Sequence, residues 1–220
     1  VDEALKDTLL QLLPLAALGT VADVVPLTGE NRTLTSFGLR LLTQTNLTGL
    51  RVMLEQTKLE EKKAVESEHV AFQIAPRINA AGRLDHADQA LELLTSNDAA
   101  RCRAIADELD RLNRQRQETE RSIFRHAMEM AVERAMTGDD HRAIVLTDHS
   151  WHPGVIGIVC SRLVERFGRP TILLAEKNGV CKGSGRSIDG FSLHDGLEAV
   201  KDHLDSFGGH AMAAGLSLAT

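Results

Sequence analysis

The residues best suited to chemistry lie in two glycine-rich segments that carry a serine, an arginine and a histidine. The segment 183–187 reads Gly-Ser-Gly-Arg-Ser, and the segment 208–215 reads Gly-Gly-His-Ala-Met-Ala-Ala-Gly. Glycines let backbone N–H groups approach an anion closely, and an arginine beside them supplies positive charge. We therefore expect these segments to hold a phosphate group. The candidate phosphate-binding residues are Ser184, Gly185, Arg186, Gly208, Gly209 and His210.

The first segment resembles a phosphate nest more than a Walker loop, because the GxxxxGK[ST] spacing is absent. A short Gly-Ser-Gly turn is also common in proteins that bind no anion, and His210 could be a histidine satisfied within the core. No nucleophile or complete metal site accompanies either segment. The two segments therefore predict the part of an enzyme that holds a substrate rather than the part that cuts it.

A second constellation occupies residues 77–83, which read Arg-Ile-Asn-Ala-Ala-Gly-Arg. Arg77 and Arg83 offer two guanidinium groups and Asn79 offers an amide among small residues, a set suited to bidentate contact with phosphate oxygens. The alternative is a loop held by structural arginine–carboxylate pairs. The residue types alone favour neither interpretation.

Asp23 is the only carboxylate between Asp7 and Glu30, and small and β-branched residues surround it. The segment 18–27 therefore predicts the end of a buried strand or a turn beside one. Burying an unpaired charge there costs several kcal/mol unless a metal or another partner compensates. A metal ligand is plausible, but a helix cap or a salt-bridged core acid is favoured by the residues alone.

Composition restricts the partners. A formal net charge of −6 argues against coating nucleic acid by general electrostatics, so any nucleic-acid grip must be local. Aromatic residues are too scarce for a base-stacking platform, and only Trp151 and Phe191 are candidates for stacking.

The apolar run 12–18 contains a proline and is too short to span a bilayer, so we expect a cytoplasmic protein with reduced cysteines. The first residue is not Met, which suggests a segment of a longer protein.

The hydrophobic pattern predicts one short helix that ends at Leu13 and two more at residues 31–43 and 47–56. A further helix is predicted at residues 66–74 and stops near Pro76. Residues 97–136 contain no Gly or Pro and predict one long, largely polar helix, of the kind that bridges two domains. Asn97 or Ser96 would cap its start and Gly138 would follow its end. Beyond it the pattern becomes α/β, with strands at 143–146, 171–174, 180–182 and 214–218 and helices at 154–167 and 193–204.

Five motifs, in order along essentially the whole chain, resemble the RecJ exonuclease family of the DHH phosphoesterase superfamily. They are Ala-Leu-Gly-Thr-Val-Ala-Asp-Val-Val-Pro-Leu at 17–27, Arg-Ile-Asn-Ala-Ala-Gly-Arg-Leu-Asp at 77–85, Trp-His-Pro-Gly-Val-Ile-Gly-Ile at 151–158, Lys-Gly-Ser-Gly-Arg-Ser at 182–187 and Phe-Gly-Gly-His-Ala-Met-Ala-Ala-Gly at 207–215. The resemblance implies an α/β fold. Residues 1–95 would be the C-terminal part of a DHH catalytic domain, 96–137 the long connecting helix, and 138–220 a smaller mixed-sheet DHH-associated domain that binds substrate.

The same resemblance implies roles for the candidate residues. Asp23 would be a catalytic residue that ligates a divalent metal, and Arg77, Asn79 and Arg83 would face a cleft for single-stranded DNA. The candidate phosphate-binding residues would hold the substrate from the associated domain. The sequence departs from the family in lacking the Asp-x-Asp and Asp-His-His segments that supply most of its metal ligands. We expect those segments to precede Val1, and a nucleic-acid-binding barrel to follow Thr220.

The implied function is 5′-to-3′ hydrolysis of single-stranded DNA by two Mn²⁺ or Mg²⁺ ions, in DNA repair and recombination. Ser184 and Arg186 would anchor the terminal 5′ phosphate. The partners would be single-stranded DNA and a single-strand-binding protein or other replication and repair proteins, without a membrane, and we expect a monomer. Because one carboxylate cannot hold two metal ions, the segment alone is expected to be inactive.

Two alternatives stay open from the sequence. One is an enzyme of the same superfamily that acts as a phosphodiesterase or phosphatase on short oligonucleotides, which cleavage of a dinucleotide against a long strand would separate. The other is a non-catalytic module that binds nucleic acid or a partner protein. Gel retardation without hydrolysis would support the second.

Overall fold

The computed structural model describes residues 2–220, and the chain forms two compact units, Val1–Gln115 and Arg116–Thr220. The regular elements among the described residues of the first unit are all helices. Its helices are α1 (Glu3–Ala22), α2 (Gly29–Leu42), α3 (Thr48–Thr57), the short α4 (Ser67–His69), α5 (Ala75–Leu84), α6 (Asp88–Thr95) and the beginning of α7 (Ala99–Glu133). They enclose one core that includes Leu50, Met53, Ile74, Leu93 and Leu109, each with an exposed fraction of zero.

Helix α1 corrects the predictions of a helix end at Leu13 and a strand beyond it. It continues through Pro14 to Ala22, and Asp23 is its C-cap residue. Gly38 of α2 explains the tolerance of this proline, because a Cβ there would stand 2.4 Å from the Leu13 carbonyl oxygen. The two helix backbones are therefore in close contact, and this packing compensates for the hydrogen bond that proline cannot donate.

Helix α1 is also long and apolar enough to cross a bilayer by length and composition, with 22% of its most apolar window buried. A core helix and a signal sequence pass the same test. Here α1 packs against α2, and Ala17, Leu18 and Val21 are buried. Length and composition alone therefore assign no membrane role to this helix.

The segment 66–84 is helical almost throughout, which corrects the predicted stop near Pro76. A π-helical turn at Val70–Ile74 leads directly from α4 into α5. Pro76 is near the start of α5, at the junction where the π-helical turn ends and the α-helix begins. Residues 77–83 are consequently helical and not a loop. Helix α6 was not predicted.

Helix α7 confirms the predicted long helix and corrects both of its ends. The Asp98 carboxylate, rather than Asn97 or Ser96, caps the start by accepting hydrogen bonds from the N–H groups of Ala100 and Arg101 at 2.9 and 3.1 Å. At the other end, Ala135 and not Gly138 takes the left-handed conformation, with φ of 54°. The division between the two units falls within this helix.

The second unit is a mixed five-stranded sheet with helices on its faces, which confirms the predicted α/β class. Its strands are β1 (Ile144–Asp148), β2 (Thr171–Lys177), β3 (Val180–Arg186), β4 (Ser206–His210) and β5 (Ala213–Ala219), in the order β1-β2-β3-β5-β4. Strands β1 and β2 are parallel, and the other pairs are antiparallel. Helix α8 (Pro153–Phe167) packs against β2 and β3, and α9 (Leu193–Glu198) contacts β4 and β5.

Two predictions in this unit need correction. Strand β3 extends to Arg186, so the Gly-Ser-Gly-Arg segment is extended strand rather than a turn. The predicted helix 193–204 is shorter, since α9 ends at Glu198 and only a 3₁₀ turn at Lys201–His203 follows. The next segment forms the unpredicted strand β4, which places the second glycine-rich segment in the sheet.

Candidate nucleic-acid interface

The alternation of β3 directs Ser184 and Arg186 toward α8 and directs Gly183 and Gly185 to the opposite face. A Cβ added to Gly157 of α8 would stand 2.9 Å from Ser184 Oγ and 3.2 Å from Arg186 Nη2. On the other face, a Cβ added to Gly185 would meet Ile172 and Leu193 side chains. Because successive strand residues point to opposite faces, this placement follows from the strand itself.

The strand register continues the Ser184 face across β5 and β4. Arg186 lies opposite Ala213, which lies opposite His210, while Ser184 lies opposite Gly215, which lies opposite Gly208. Directly paired residues share a face of a sheet. The surface formed by these six residues is called the glycine shelf: Ser184, Arg186, Gly208, His210, Ala213 and Gly215.

The glycine shelf is open. Gly208, His210 and Gly215 are exposed, and Ser184, Arg186 and Ala213 are partly exposed. A Cβ at Gly208 would meet no atom within 4 Å, and one at Gly215 would meet only the Gly183 carbonyl oxygen at 3.9 Å. The shelf therefore presents nearly bare backbone beside an arginine and a histidine, so a ligand can approach the sheet closely.

Arg186 supplies the positive charge of the shelf. Its Nη1 donates hydrogen bonds to the Gly185 carbonyl oxygen at 2.8 Å and to Ser184 Oγ at 3.2 Å. Within residues 2–220, no carboxylate lies within 4.0 Å of its guanidinium nitrogens. The Ser184 and Arg186 side chains are thus positioned together while the charge itself lacks a counterion, which favours an anionic ligand.

The predicted phosphate nest at 183–187 is wrong because β3 pairs with β2 on one side and β5 on the other. A nest needs successive backbone N–H groups directed at the anion, whereas those of a central strand are used in the sheet. Anion recognition at β3 therefore depends on the Ser184 and Arg186 side chains. Gly185 faces the α9 side and contributes space for Ile172 and Leu193 rather than a ligand contact.

The two glycines of β4 have different roles. Gly208 faces open space, but Gly209 has φ of 143°, and a Cβ there would stand 2.3 Å from the Ala213 carbonyl oxygen. Gly209 is thus required by the backbone. Exposed His210 accepts a hydrogen bond from the Met212 N–H at its Nδ1, over 3.3 Å. The neutral imidazole therefore carries its proton on Nε2, which is available as a donor.

In the first unit, Asp23 is exposed at the C-terminal end of α1, not buried as the sequence suggested. No hydrogen bond or ion pair to its carboxylate occurs within the described chain. The negative end of a helix dipole disfavours an anion, so the carboxylate gains from a nearby cation. However, the described residues contain no group of three or more His, Cys, Asp or Glu that could hold a metal ion. Asp23 could therefore serve as one accessible metal ligand, but the described residues do not supply the other ligands of a complete metal centre.

Arg77 and Arg83 do not share a face of helix α5, because they are six residues apart. Arg77 Nε donates to Asp110 Oδ1 at 2.9 Å, and its Nη1 donates to the Gln73 carbonyl oxygen at 2.6 Å. Arg77 thus makes the structural carboxylate pair that the sequence left as an alternative. Asn79 and Arg83 are four residues apart in α5 and share a helix face, and Asn79 is exposed.

Sequence reasoning did not assign Ala213 and Gly215 to a site, although both lie in the second glycine-rich segment. It also missed the partner of Trp151, whose indole N–H donates to His126 Nδ1 at 3.2 Å. Trp151 has an exposed fraction of only 4%, so the predicted stacking on a base is not available to it. His152 caps α8, because its Nδ1 accepts a hydrogen bond from the Gly154 N–H.

The sheet and its shelf define a known class of domain, since residues 140–220 match the family model of the DHHA1 domain. The chain as a whole is a homologue of the RecJ proteins. It is 45% identical over 210 residues to the single-stranded-DNA-specific exonuclease RecJ of Bacillus subtilis (strain 168), covering 94% of this chain and 26% of that protein. For the protein of the same name from Escherichia coli (strain K12), the identity is 42% over 217 residues, covering 96% and 37%.

Solved structures of RecJ proteins are also similar to this chain. A crystal structure of RecJ from Thermus thermophilus in complex with Mg²⁺ superposes with a TM-score of 0.84 at 41% identity, covering 95% of this chain and 32% of that one. A crystal structure of exonuclease RecJ bound to manganese gives 0.80 at 42% identity, covering 95% and 51%. The chain thus spans between about a quarter and two-fifths of the length of its curated relatives.

Proposed function

We propose that this chain is the substrate-holding part of a 5′-to-3′ single-stranded-DNA exonuclease, and that the glycine shelf binds the 5′-terminal phosphate. The observation that carries the proposal is the open shelf with an arginine that lacks a counterion, on a chain of net charge −6. The homology to proteins named single-stranded-DNA-specific exonucleases supports the substrate class.

The chemistry of the shelf suits a phosphate at a strand end. The guanidinium of Arg186 can donate charge-assisted hydrogen bonds to phosphate oxygens, and the Ser184 hydroxyl and the His210 Nε2–H can add neutral ones. The bare surface at Gly208 and Gly215 leaves room for the sugar–phosphate backbone. Contacts of this kind position a strand without distinguishing bases, so binding should be independent of sequence.

For the cofactor, we propose that Asp23 supplies one carboxylate ligand to a Mn²⁺ or Mg²⁺ ion, the ions named in two related RecJ structures. Hard divalent cations prefer carboxylate oxygen, and Asp23 is accessible. A pair of such ions would activate water and stabilise the leaving oxygen in phosphodiester hydrolysis. Because the described residues do not complete a metal centre, this chain alone should hydrolyse little or no DNA.

The resemblance to the RecJ exonuclease family supports further parts of the proposal. Residues 1–95 would belong to the catalytic domain, 96–137 to a connecting helix and 138–220 to the substrate-binding domain. Asn79 and Arg83 would contact the strand from one face of α5, with Arg77 held by Asp110 in support. The setting would be cytoplasmic DNA repair and recombination, with a monomeric enzyme and a single-strand-binding protein as partner.

The test follows binding and hydrolysis together. The purified chain is incubated with Mn²⁺ and 5′-phosphorylated single-stranded DNA, and retained strand and released nucleotide are both measured. Binding without release supports the proposal. Robust metal-dependent release that disappears in Asp23→Ala would overturn the account of an incomplete metal centre. A dinucleotide that binds as tightly as a long strand would favour the short-oligonucleotide enzyme instead.

A further inference from the structure

A second site lies in the first unit, remote in sequence from the glycine shelf. A pocket of about 560 Å³ opens between one face of α2 and the segment 63–67, and we call it the α2 pocket. Its size falls in the range of small-molecule sites, which begins at about 300 Å³. Its polar lining residues are Arg32, Thr35, Ser36, Arg40, Thr43, Gln44, Lys63, Glu66 and Ser67.

The helical repeat aligns the polar groups of α2 along this pocket. Arg32, Ser36 and Arg40 are each four residues apart, so they lie on one face over successive turns. The helix rises by about 6 Å between each of them. Lys63 lines the pocket from the facing segment. Two guanidinium groups, a hydroxyl and an ammonium group therefore surround one concave space.

These three cations lack counterions within the described residues. No carboxylate lies within 4.0 Å of the charged nitrogens of Arg32, Arg40 or Lys63, whereas four exposed arginines elsewhere in this unit pair with carboxylates: Arg101, Arg103, Arg111 and Arg114. The only acidic residue in the lining is Glu66, whose side chain accepts a hydrogen bond from the His69 N–H. Cations gathered without a counterion repel one another, so an anion in the pocket would be stabilised.

Thr35 provides an independent observation. It lines the pocket with an exposed fraction of 3%, and its hydroxyl oxygen makes no hydrogen bond with any described residue. Five other threonines in the helices of this unit donate their hydroxyls to the carbonyl oxygen four residues earlier: Thr8, Thr20, Thr33, Thr57 and Thr95. A buried hydroxyl without a partner is costly, so a hydrogen-bonding group bound beside it would be stabilised.

We propose that the α2 pocket binds the phosphate group of a free nucleoside monophosphate. The three cations neutralise the phosphate, and the hydroxyls of Thr35 and Ser36 supply hydrogen bonds. Leu27, Leu39 and Val65 offer apolar surface for the nucleoside. The volume exceeds the needs of an inorganic anion, which favours a whole nucleotide. The proposal does not depend on the exonuclease activity or on the glycine shelf.

The test measures binding of deoxyadenosine monophosphate by isothermal titration calorimetry. The wild-type chain should bind it saturably and deoxyadenosine only weakly, and each of Arg32→Gln and Arg40→Gln should weaken binding by about tenfold. Arg51→Gln is the matched control, because Arg51 is exposed on α3 and outside the pocket. The titrations are repeated in the Arg186→Ala background, so that nucleotide bound at the glycine shelf does not contribute and the test stays separate from that of the shelf.

Thr35→Val tests the pocket without removing charge. The substitution keeps the side-chain shape, so the thermal midpoint should hold or rise while nucleotide affinity falls. Titration with a 5′-phosphorylated oligothymidylate then checks that the ligand is a free nucleotide: the affinity for this strand should be unchanged in Arg32→Gln, and a loss would assign a strand end to the pocket and contradict the proposal. Absence of saturable nucleotide binding, or equal affinity in the wild type and both arginine variants, would overturn the proposal.

Discussion

Gly157 of α8 lies directly against the guanidinium of Arg186, since a Cβ atom at Gly157 would stand 3.2 Å from Arg186 Nη2. The same Cβ would stand 2.9 Å from Ser184 Oγ. Real Cβ contacts under 3.0 Å essentially never occur, so any larger residue must displace the serine. The close packing of this glycine therefore bears directly on the two side chains proposed to hold the phosphate.

Substitution of Gly157 should therefore weaken binding more than it weakens folding. In Gly157→Ala, displacement of Ser184 and Arg186 should lower the affinity for 5′-phosphorylated single-stranded DNA by about tenfold. Overpacking should cost about 1–2 kcal/mol of unfolding free energy, partly offset by the helix preference of alanine. Fluorescence anisotropy and urea denaturation measure the two quantities.

Gly19 supplies the matched control for that experiment. It lies in α1, and a Cβ there meets no atom within 4 Å. Gly19→Ala should leave DNA affinity unchanged and should stabilise the chain by up to about 1 kcal/mol. Equal DNA affinity in Gly157→Ala and Gly19→Ala would show that Gly157 does not position the phosphate-holding side chains.

The neighbouring glycines of β4 should respond in opposite ways. Gly208→Val adds a β-branched side chain to open space, so unfolding free energy should change by less than about 1 kcal/mol while DNA binding falls by about tenfold. Gly209→Ala should lose about 3 kcal/mol, because its backbone has φ of 143° and its Cβ would meet the Ala213 carbonyl oxygen.

Ala219→Val is the control for Gly208→Val. Ala219 is exposed at the far end of β5 and, by strand alternation, on the same sheet face as Ala213 and Gly215. Its DNA affinity should match that of the wild type. If Gly208→Val also bound DNA normally, the bare surface of the shelf would have no part in binding.

The Cys160 thiol should be inert in the folded chain. Burial raises the pKa of this thiol to about 12, and smaller effects of backbone groups and of Arg186 oppose the increase. Its Sγ also donates a hydrogen bond to the Ser184 carbonyl oxygen at 3.0 Å. At pH 8 the thiolate fraction is about one in ten thousand, so iodoacetamide should modify Cys160 only after unfolding, as followed by mass spectrometry.

The same pKa predicts a loss of stability at high pH. The folded state holds the proton more tightly than the unfolded state, whose thiol has its ordinary pKa of 9.0. The contribution of this group is complete below pH 9 and is lost as the pH rises toward 12. Cys160→Ala should remove this part of the pH dependence in urea denaturation. Rapid alkylation of the native thiol would contradict both expectations.

The predictable parts of the fold were those with a long periodic signal. Helix α7 was predicted nearly complete because Gly and Pro are absent from residues 97–136, and helix α8 because its apolar spacing persists over many residues. Strands β1 and β2 emerged for a similar reason, from short β-branched runs. The five sequence motifs also indicated the RecJ proteins to which the chain is similar.

The errors arose where tertiary contacts override local preference. Glycines at 183 and 185 suggested a turn, but they are strand residues whose missing side chains make room for Leu174, Leu216 and Leu193. Pro14 suggested a helix end, but packing of α1 on α2 carries the helix through it. These contacts are made between different helices and strands, so a pattern within one element could not reveal them.

The candidate site was predictable as residue types and not as an arrangement. The sequence indicated Ser184, Arg186 and His210 as candidate residues, but only the register reveals that Arg186, Ala213 and His210 form one row of a sheet. Asp23 is exposed, whereas its apolar neighbours in the sequence suggested a buried acid. Arg77 could not be assigned without its partner Asp110, which lies 33 residues away.

The most direct test of the shelf compares strands that differ only at the 5′ end. Affinities for 5′-phosphorylated and 5′-hydroxyl oligothymidylate are measured for the wild type, Arg186→Ala and the exposed control Arg166→Ala. The wild type and Arg166→Ala should prefer the phosphorylated strand by about tenfold or more, and Arg186→Ala should bind both strands equally. An undiminished preference in Arg186→Ala would contradict the assignment of the glycine shelf as the site of the terminal phosphate.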